Sequence, residues 1–184
     1  MKDDEKQNSI KNAVVKLILE EGFHGTSISK IAKAAGVSPA TVYIYYENKE
    51  EMMRDIYQEY AEEVFDYIQK RLTRKMTGEQ LIDVLIRGYY HYITENREIF
   101  NFIEQFSTCP SLQNGCNVLK GPSKMNNIFL EYKEKGALIN YRTENLWALL
   151  FYPIKAIASH ADADEKTNEQ MLDEMISIIQ KALL

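Results

Sequence analysis

The sequence has few cysteines and no long apolar stretch, and each shortage excludes a class of protein. Its 184 residues include two cysteines, Cys109 and Cys116, which are too few for a disulfide scaffold and suit a reducing compartment. Charged residues interrupt every apolar stretch well short of the ~18 residues that a membrane helix needs. The N-terminal sequence does not show the charged start followed by an apolar segment that is typical of a signal peptide, so we expect none. Because 45% of the residues are hydrophobic, the chain can still bury a sizeable core, and we expect a cytoplasmic protein with no membrane partner.

Signals of catalysis are also scarce. The sequence contains neither a G-x-S-x-G nucleophile motif nor a glycine-rich phosphate loop. Glu21 and His24 have the Glu-x-x-His spacing of a di-iron helix, but such bundles use two copies and the spacing occurs here once. We therefore expect no enzyme activity, no catalytic residue, no metal and no cofactor. Two alternatives stay open: a metal-dependent helical enzyme that uses Glu21 and His24, and a redox switch between Cys109 and Cys116.

The net charge of −5 at first argues against a nucleic-acid partner, but the charges are unevenly distributed. Residues 1–50 hold seven lysines and seven acidic residues, so residues 51–184 carry the entire −5. Within residues 22–49, three lysines stand against one glutamate, a balance of +2. A small, locally positive module on an acidic body is compatible with DNA binding.

Helical periodicity dominates the sequence, and the alternation typical of strands is almost absent. Glycine and proline at four positions predict a loop or a broken helix over residues 108–122. We predict an all-α fold with one domain over residues 1–48 and a second over residues 49–184. The predicted helices are Ile10 to Gly22, 27–35, 38–45, Asn48 to about Arg71, 79–95, 97–107, 123–135, 143–160 and 167–183.

The short helices predicted at 27–35 and 38–45 have the proportions of a helix-turn-helix. Gly36 supplies the residue tolerant of positive φ that the turn needs. Ser38 followed by Pro39 is a strong helix-start signal, because a hydroxyl cap precedes a residue that needs no N–H donor there. Three packed helices without any ligand are the alternative.

The second of these helices has side chains suited to a close approach to DNA. Val42 and Tyr46, four residues apart, are predicted to face the core, while Thr41 and Tyr45 face outward. The residues at the start of the helix are short enough to let the backbone approach the base edges: Ser38, Pro39, Ala40 and Thr41.

The stretch from Ile10 to Ile56, with ILEEGFHGTSISKIAKAAGVSPATVYIYYENKEEM at its centre, resembles the DNA-binding domain of the TetR/AcrR family of bacterial regulators. The resemblance covers a little over a quarter of the chain. It implies an N-terminal three-helix helix-turn-helix domain, joined by a long helix to a C-terminal helical bundle for ligand binding and dimerisation. The residues that carry it are Gly22, Thr26, Ile31, Ala32, Gly36, Val37, Ser38, Thr41, Tyr43, Tyr46 and Lys49.

The resemblance also implies roles for individual residues. Base contacts in the major groove fall to Ser38, Pro39, Ala40 and Thr41. Phosphate contacts fall to Thr26, Ser27, Ser29, Tyr43, Tyr45 and Lys49. The reading helix lacks Arg, Gln and Asn, so bidentate base recognition is not available from it. Thymine-methyl contacts, backbone geometry and DNA shape then carry more of the specificity.

Aromatic residues in the C-terminal helices predict a pocket for a flat or amphipathic small molecule. We expect an apolar or aromatic effector, although ordinary core packing is the alternative for these residues. The candidate lining residues are Tyr89, Tyr92, Phe102, Phe106, Phe129, Trp147 and Phe151.

The last two predicted helices have more apolar surface than one subunit can cover. Helix-turn-helix proteins of this type read paired half-sites, so we expect a two-fold symmetric homodimer. The resemblance implies a four-helix dimer bundle, and core packing within the monomer is the alternative. The candidate interface residues are Leu150, Ile154, Ile157, Leu172, Met175, Ile176 and Ile179.

These features together predict a ligand-responsive transcriptional regulator. We expect a repressor that binds palindromic operator DNA as a homodimer and is released by a small molecule bound in its C-terminal domain. A protein-interaction adaptor on the same fold is a further alternative. Only the regulator predicts DNA affinity that falls steeply with salt.

Overall fold

The computed structural model describes residues 2–107, 119–159 and 164–184. All regular structure in these ranges is helical, which confirms the predicted all-α fold. Cys109, Cys116 and His160 lie outside the described residues, so a redox role for the two thiols stays untested. In the described ranges the helices are α1 (Lys2–Gly25), α2 (Ile28–Ala35), α3 (Pro39–Tyr45), α4 (Lys49–Gln69), α5 (Gly78–Glu95), α6 (Arg97–Ser107), α7 (Lys120–Glu134), α8 (Thr143–Ala158) and α9 (Glu165–Leu183).

The described chain divides into two compact units. The first contains α1 to α3, the part of α4 up to Ala61, and α6. The second contains the rest of α4, from Glu62, together with α5 and α7 to α9. Helix α4 is therefore shared along its length by both units, and the division into residues 1–48 and 49–184 stays a prediction.

Helix α1 begins earlier than its apolar pattern predicts. The sequence indicated a start near Ile10, whereas the helix begins at Lys2. Its first turn carries three acidic residues, whose charges are stabilised by the positive end of the helix dipole. Near its end, Gly22 has φ 73° and kinks the helix. Apolar periodicity detects only the part of a helix that packs on a core, so the exposed first turns escaped it.

The turn between α2 and α3 follows its sequence signals. The side chain of Ser27 accepts a hydrogen bond from Lys30 N, and that of Ser38 accepts one from Thr41 N. Gly36 has φ 68° and ψ 29°, which is the left-handed conformation predicted for the turn. The two helices pack against each other, and Ile31 on α2 and Val42 on α3 are both fully buried. The predicted helix-turn-helix geometry is therefore confirmed.

In the second unit, α5, α8 and α9 pack against one another in pairs. Helix α5 contributes a buried face to this packing, which includes Leu85 and Ile86. Its start is fixed by a capping box in which Thr77 and Gln80 exchange hydrogen bonds between side chain and backbone. This packing brings the ring of Tyr89 on α5 to 5.1 Å from that of Phe151 on α8.

Helix α7 corrects the prediction that the loop extends to residue 122, because the helix begins at Lys120. Leu119, at its cap position, provides no side-chain hydrogen bond. The cap comes instead from Glu62 on α4, whose carboxylate accepts hydrogen bonds from Lys120 N and from Gly121 N, the latter at 2.8 Å. Gly121 is also required for close packing, because a Cβ atom there would overlap the ring of Phe65. These contacts join residues about 60 positions apart, so no local pattern could reveal them.

Candidate nucleic-acid interface

Helix α3 presents a mostly apolar outer face. Val42 is fully buried and Tyr46 is 5% exposed, as predicted. Burial raises the pKa of Tyr46, and a hydrogen bond with Gln7 opposes that shift. Tyr43 is 56% exposed and Ile44 is 76% exposed. Sequence reasoning missed Ile44, although its spacing of two from Val42 already places it on the outer side of the helix.

The predicted base-contact residues lie at the N-terminal end of α3. Ser38, Pro39 and Ala40 are exposed, and Thr41 is half-buried. The hydroxyl oxygens of Ser38 and Thr41 are 2.9 Å apart, and Ser38 also caps the Thr41 backbone N–H. These short side chains leave the start of the helix unobstructed, so a DNA groove can approach its backbone.

The start of α2 contains two exposed hydroxyl residues and one buried one. Ser27 and Ser29 are exposed. Thr26 is 2% exposed, and its hydroxyl donates to the carbonyl oxygen of Gly22 at 2.8 Å. Thr26 therefore joins α1 to α2 inside the domain, and its side chain does not face the surface. The free surface at this point belongs to Ser27 and Ser29.

Lys49, predicted to contact phosphate, is engaged within the first unit. Its Nζ donates hydrogen bonds to the carbonyl oxygens of Phe23 and Thr26, each at 3.1 Å. The same ammonium lies 4.0 Å from the centre of the Phe23 ring, a favourable cation–π distance. The lysine thus holds the connection between α1 and α2 against the start of α4.

Tyr45, also predicted to contact phosphate, is bonded to the first turn of α1. Its hydroxyl donates to Asp3 Oδ1 at 2.6 Å and lies 3.2 Å from the Asp3 carbonyl oxygen. This hydrogen bond, with smaller contributions from desolvation and from the charges of Asp3 and Asp4, raises the pKa of Tyr45 to about 12. The phenol is therefore held neutral by a carboxylate that would repel a DNA phosphate.

The lysines of α2 differ in their surroundings. Lys30 pairs with Glu21 at 2.5 Å and donates to the Gly25 carbonyl oxygen at 2.9 Å. Lys33, one turn further along, is exposed. The net positive charge of the helix-turn-helix segment is therefore most accessible at Lys33. The pairing of Glu21 also occupies the carboxylate that the metal-enzyme alternative would need.

A group of aromatic side chains in the second unit surrounds Trp147. The ring of Trp147 lies 4.8 Å from Phe151, 5.8 Å from Phe65 and 5.8 Å from Phe129, and Phe151 lies 5.1 Å from Tyr89. These five residues are called the Trp147 cluster below. The Trp147 Nε1 donates to Asn126 Oδ1 at 2.8 Å, which satisfies its polar atom. The sequence did not predict a role for Phe65, because this residue lies beside the periodic apolar face of α4 and not on it.

The seven predicted pocket residues do not form one group. Four belong to the Trp147 cluster, whereas Tyr92 packs on Tyr67 at 5.3 Å. Phe102 and Phe106 belong to the first unit, where Phe106 stacks on Tyr57 at 4.0 Å. A surface cavity of about 440 Å³ in the second unit includes none of the seven and is lined by Thr73, Met76, Glu79, Gln80, Asp83, Val84 and Gln180.

Comparison with known proteins assigns the helix-turn-helix to a family. Residues 10–56, which run from α1 into α4, match the family model described as bacterial regulatory proteins, tetR family. Residues 10–56 belong to the tetR family. This assignment agrees with the resemblance seen in the sequence over the same residues.

Two curated relatives are similar to part of this chain. The fatty acid metabolism regulator protein of Bacillus subtilis is 28% identical over 51% of this chain and 48% of its own length. The biofilm operon icaADBC negative transcriptional regulator IcaR of Staphylococcus epidermidis is 31% identical over 59% of this chain and 57% of its own length. The chain thus matches about half of the length of each relative.

A solved structure shares most of the fold of this chain. The transcriptional regulator FadR from Bacillus subtilis, in complex with stearoyl-CoA, superposes with a TM-score of 0.69 over 94% of this chain and 95% of that chain. Its sequence identity is 21%, so the likeness concerns the fold alone.

The predicted dimer residues are mostly buried within the chain itself. Six of the seven, all except Met175, are at most 5% exposed. They lie on α8 and α9, which pack against each other and against α5, and their burial agrees with the core alternative. Exposed apolar residues occupy the other sides of these helices, among them Leu149, Tyr152 and Ile178.

Two further observations concern metal ligands and membrane-spanning helices. In the part of the chain that the structure describes, no three histidine, cysteine or acidic side chains are grouped as metal ligands. No helix within the described ranges is both long and apolar enough to span a membrane.

Proposed function

We propose that this chain is a ligand-responsive transcriptional repressor that binds a palindromic operator as a homodimer. The observation that carries the proposal is the exposed face of α3, presented by a capped helix-turn-helix of the tetR family. A relative named as a negative regulator, IcaR, supports repression as the output. The division into a DNA-binding domain of residues 1–48 and an effector and dimerisation domain of residues 49–184 forms part of this proposal.

The DNA contacts follow from the exposed residues. Ser38, Pro39, Ala40 and Thr41 bring the start of α3 to the base edges in the major groove. Ser27, Ser29 and Tyr43 donate hydrogen bonds to phosphates, and Lys33 adds a positive charge. Lys49 supports this surface from inside through its bonds to Phe23 and Thr26. Tyr45 reaches a phosphate only when its bond to Asp3 opens.

The dimer interface uses the outer sides of α8 and α9. On α8, Leu149, Tyr152 and Ala156 are exposed at helical spacing. On α9 the corresponding stripe comprises Met171, Met175, Ile178 and Ala182, which are exposed or half-buried. These two stripes lie on helices that pack against each other, so two copies can form a four-helix bundle. Met175 is the one originally predicted interface residue that remains in this set.

A charge placed in the stripe tests the dimer. Ile178→Glu is expected to yield a monomer in light scattering and to weaken operator binding, because two half-sites are then bound independently. Leu130→Glu is a matched control, since Leu130 on α7 is 55% exposed and Ile178 is 52% exposed. A dimer that withstands Ile178→Glu would place the interface elsewhere.

The effector is proposed to be a long-chain acyl compound that enters the Trp147 cluster. The cluster is apolar and includes Phe65, which lies on α4. The relative named for fatty acid metabolism and the structural neighbour bound to stearoyl-CoA support an acyl ligand. A ligand shifts an equilibrium only by binding one state better than another. Displacing Phe65 would move α4, the helix that continues directly from the helix-turn-helix.

Trp147 is the only tryptophan in the sequence, so its fluorescence reports on the cluster directly. Stearoyl-CoA is expected to change this fluorescence and to release the operator, whereas coenzyme A alone does neither. Phe151→Leu in the cluster should weaken both effects. Phe102→Leu, the same change in the first unit, should leave them intact. Ligand binding that leaves operator affinity unchanged would refute an effector role.

DNA binding itself is tested by selection from a random duplex library. The wild type is expected to enrich an inverted repeat, with affinity that falls steeply with salt because phosphate contacts release counterions. The double variant Thr41→Ala, Tyr43→Phe should lose enrichment. Its matched control makes the same chemical changes at exposed positions of the second unit, Thr73→Ala and Tyr141→Phe. If the wild type enriches no duplex at low salt, the adaptor alternative is favoured.

A further inference from the structure

The side of helix α3 that faces away from the buried Val42 is apolar. Successive residues of an α-helix are separated by about 100° around its axis, so residues four apart lie nearly above one another. Ala40 and Ile44 form such a pair on the side opposite the buried Val42. At 76%, Ile44 is the most exposed of the large hydrophobic side chains in the described ranges.

The remaining side chains of α3 include no group that can form two hydrogen bonds with one base. The helix reads PATVYIY, without Arg, Lys, Gln, Asn or an acidic residue. Bidentate hydrogen bonds to guanine or adenine are therefore unavailable from it. The apolar feature that the major groove offers to an isoleucine is the C5 methyl group of thymine.

We propose that Ile44, supported by Ala40, contacts thymine C5 methyl groups in the major groove and is a residue that determines operator specificity. The inference rests on the proposed DNA-binding function and adds a residue and a base to it. A protein partner fits this surface poorly, because a stable protein interface buries about 800 Å² on each side, whereas Ala40 and Ile44 contribute only two side chains. Its neighbours Thr41 and Tyr43 carry hydroxyls suited to flanking polar contacts.

The test replaces thymine by deoxyuridine, one position at a time, in the operator obtained by selection. This change removes only the methyl group. Wild-type affinity is expected to fall about fourfold at one or more positions in each half-site, the value of one buried methyl-sized group. Ile44→Ala should bind the thymine operator more weakly and should no longer distinguish deoxyuridine at those positions. Ile44→Val should retain part of the discrimination.

One control variant and three possible outcomes separate this inference from the proposed function on which it rests. Ile139→Ala, at an exposed isoleucine of the second unit, should discriminate as the wild type does. Equal wild-type affinity for thymine and deoxyuridine at every position overturns the methyl contact while specific DNA binding stands. Full discrimination by a folded Ile44→Ala variant likewise removes Ile44 from the contact. Absence of any selected duplex overturns the proposed function, and the inference with it.

Discussion

Asp3 and Tyr45, 42 positions apart in the sequence, are joined by a hydrogen bond of 2.6 Å from the phenol to the carboxylate. The bond ties the first turn of α1 to the last turn of α3. It also places a negative charge beside a side chain that the family resemblance assigns to phosphate contact. The bond thereby fixes α3 to the first turn of α1, and the Asp3 carboxylate would repel a DNA phosphate brought to Tyr45.

The titration of Tyr45 tests this contact directly. Its pKa is raised from 10.0 to about 12, chiefly by the hydrogen bond to Asp3. Because the folded-state pKa is the higher one, the stabilisation is complete below pH 10 and is lost as the pH rises towards 12. Asp3→Asn should return the pKa towards 10. Tyrosine ring NMR, with Tyr45→Phe for assignment, measures the shift, and a titration near 10 in the wild type would contradict it.

Removal of the Asp3 charge should strengthen DNA binding. Asp3→Asn is expected to raise operator affinity about two- to fivefold at low salt, the usual size of one exposed charge interaction. Glu5→Gln is the matched control, since it removes the same charge from the exposed first turn of α1. Equal gains from both variants would show a general charge effect and no specific role for Asp3.

Lys49 should contribute more to stability than to phosphate binding. Lys49→Met removes two charge-assisted hydrogen bonds to carbonyl oxygens and the contact with the Phe23 ring. We expect a loss of about 1–3 kcal/mol in the free energy of unfolding, measured by urea denaturation. The control Lys33→Met, at an exposed position, should unfold like the wild type but bind DNA more weakly. A wild-type unfolding curve for Lys49→Met would refute the internal role.

The packing of α4 on α7 should be sensitive to a single methyl group. Gly121→Ala places a Cβ atom into the ring of Phe65 and is expected to cost about 1–3 kcal/mol through overpacking. Gly88→Ala provides the contrast, because its Cβ atom would meet its nearest neighbours at an ordinary 3.7 Å. There the better helix propensity of alanine should add about 0.5–1 kcal/mol. Thermal or urea unfolding distinguishes the two, and equal effects would contradict the steric account.

The sequence by itself determined the helical fold class and the helix-turn-helix. Ser27, Gly36 and Ser38 act on backbone groups no more than four residues away, so their effect can be inferred from adjacent letters. The buried positions Val42 and Tyr46 follow from helical spacing in the same way. Local hydrogen bonding and periodicity are sufficient for these features.

The tertiary structure decided which side chains of the candidate site are accessible. Thr26, Tyr45 and Lys49 carry groups suited to phosphate, yet all three bond within the first unit. The aromatic residues likewise divide between the two units, and six of the seven predicted dimer residues lie in the core. A side chain's partners depend on residues that lie far away along the chain and close in space. The pattern of neighbouring residues in the sequence contains no information about those partners. Only the folded chain could therefore show which groups each side chain contacts.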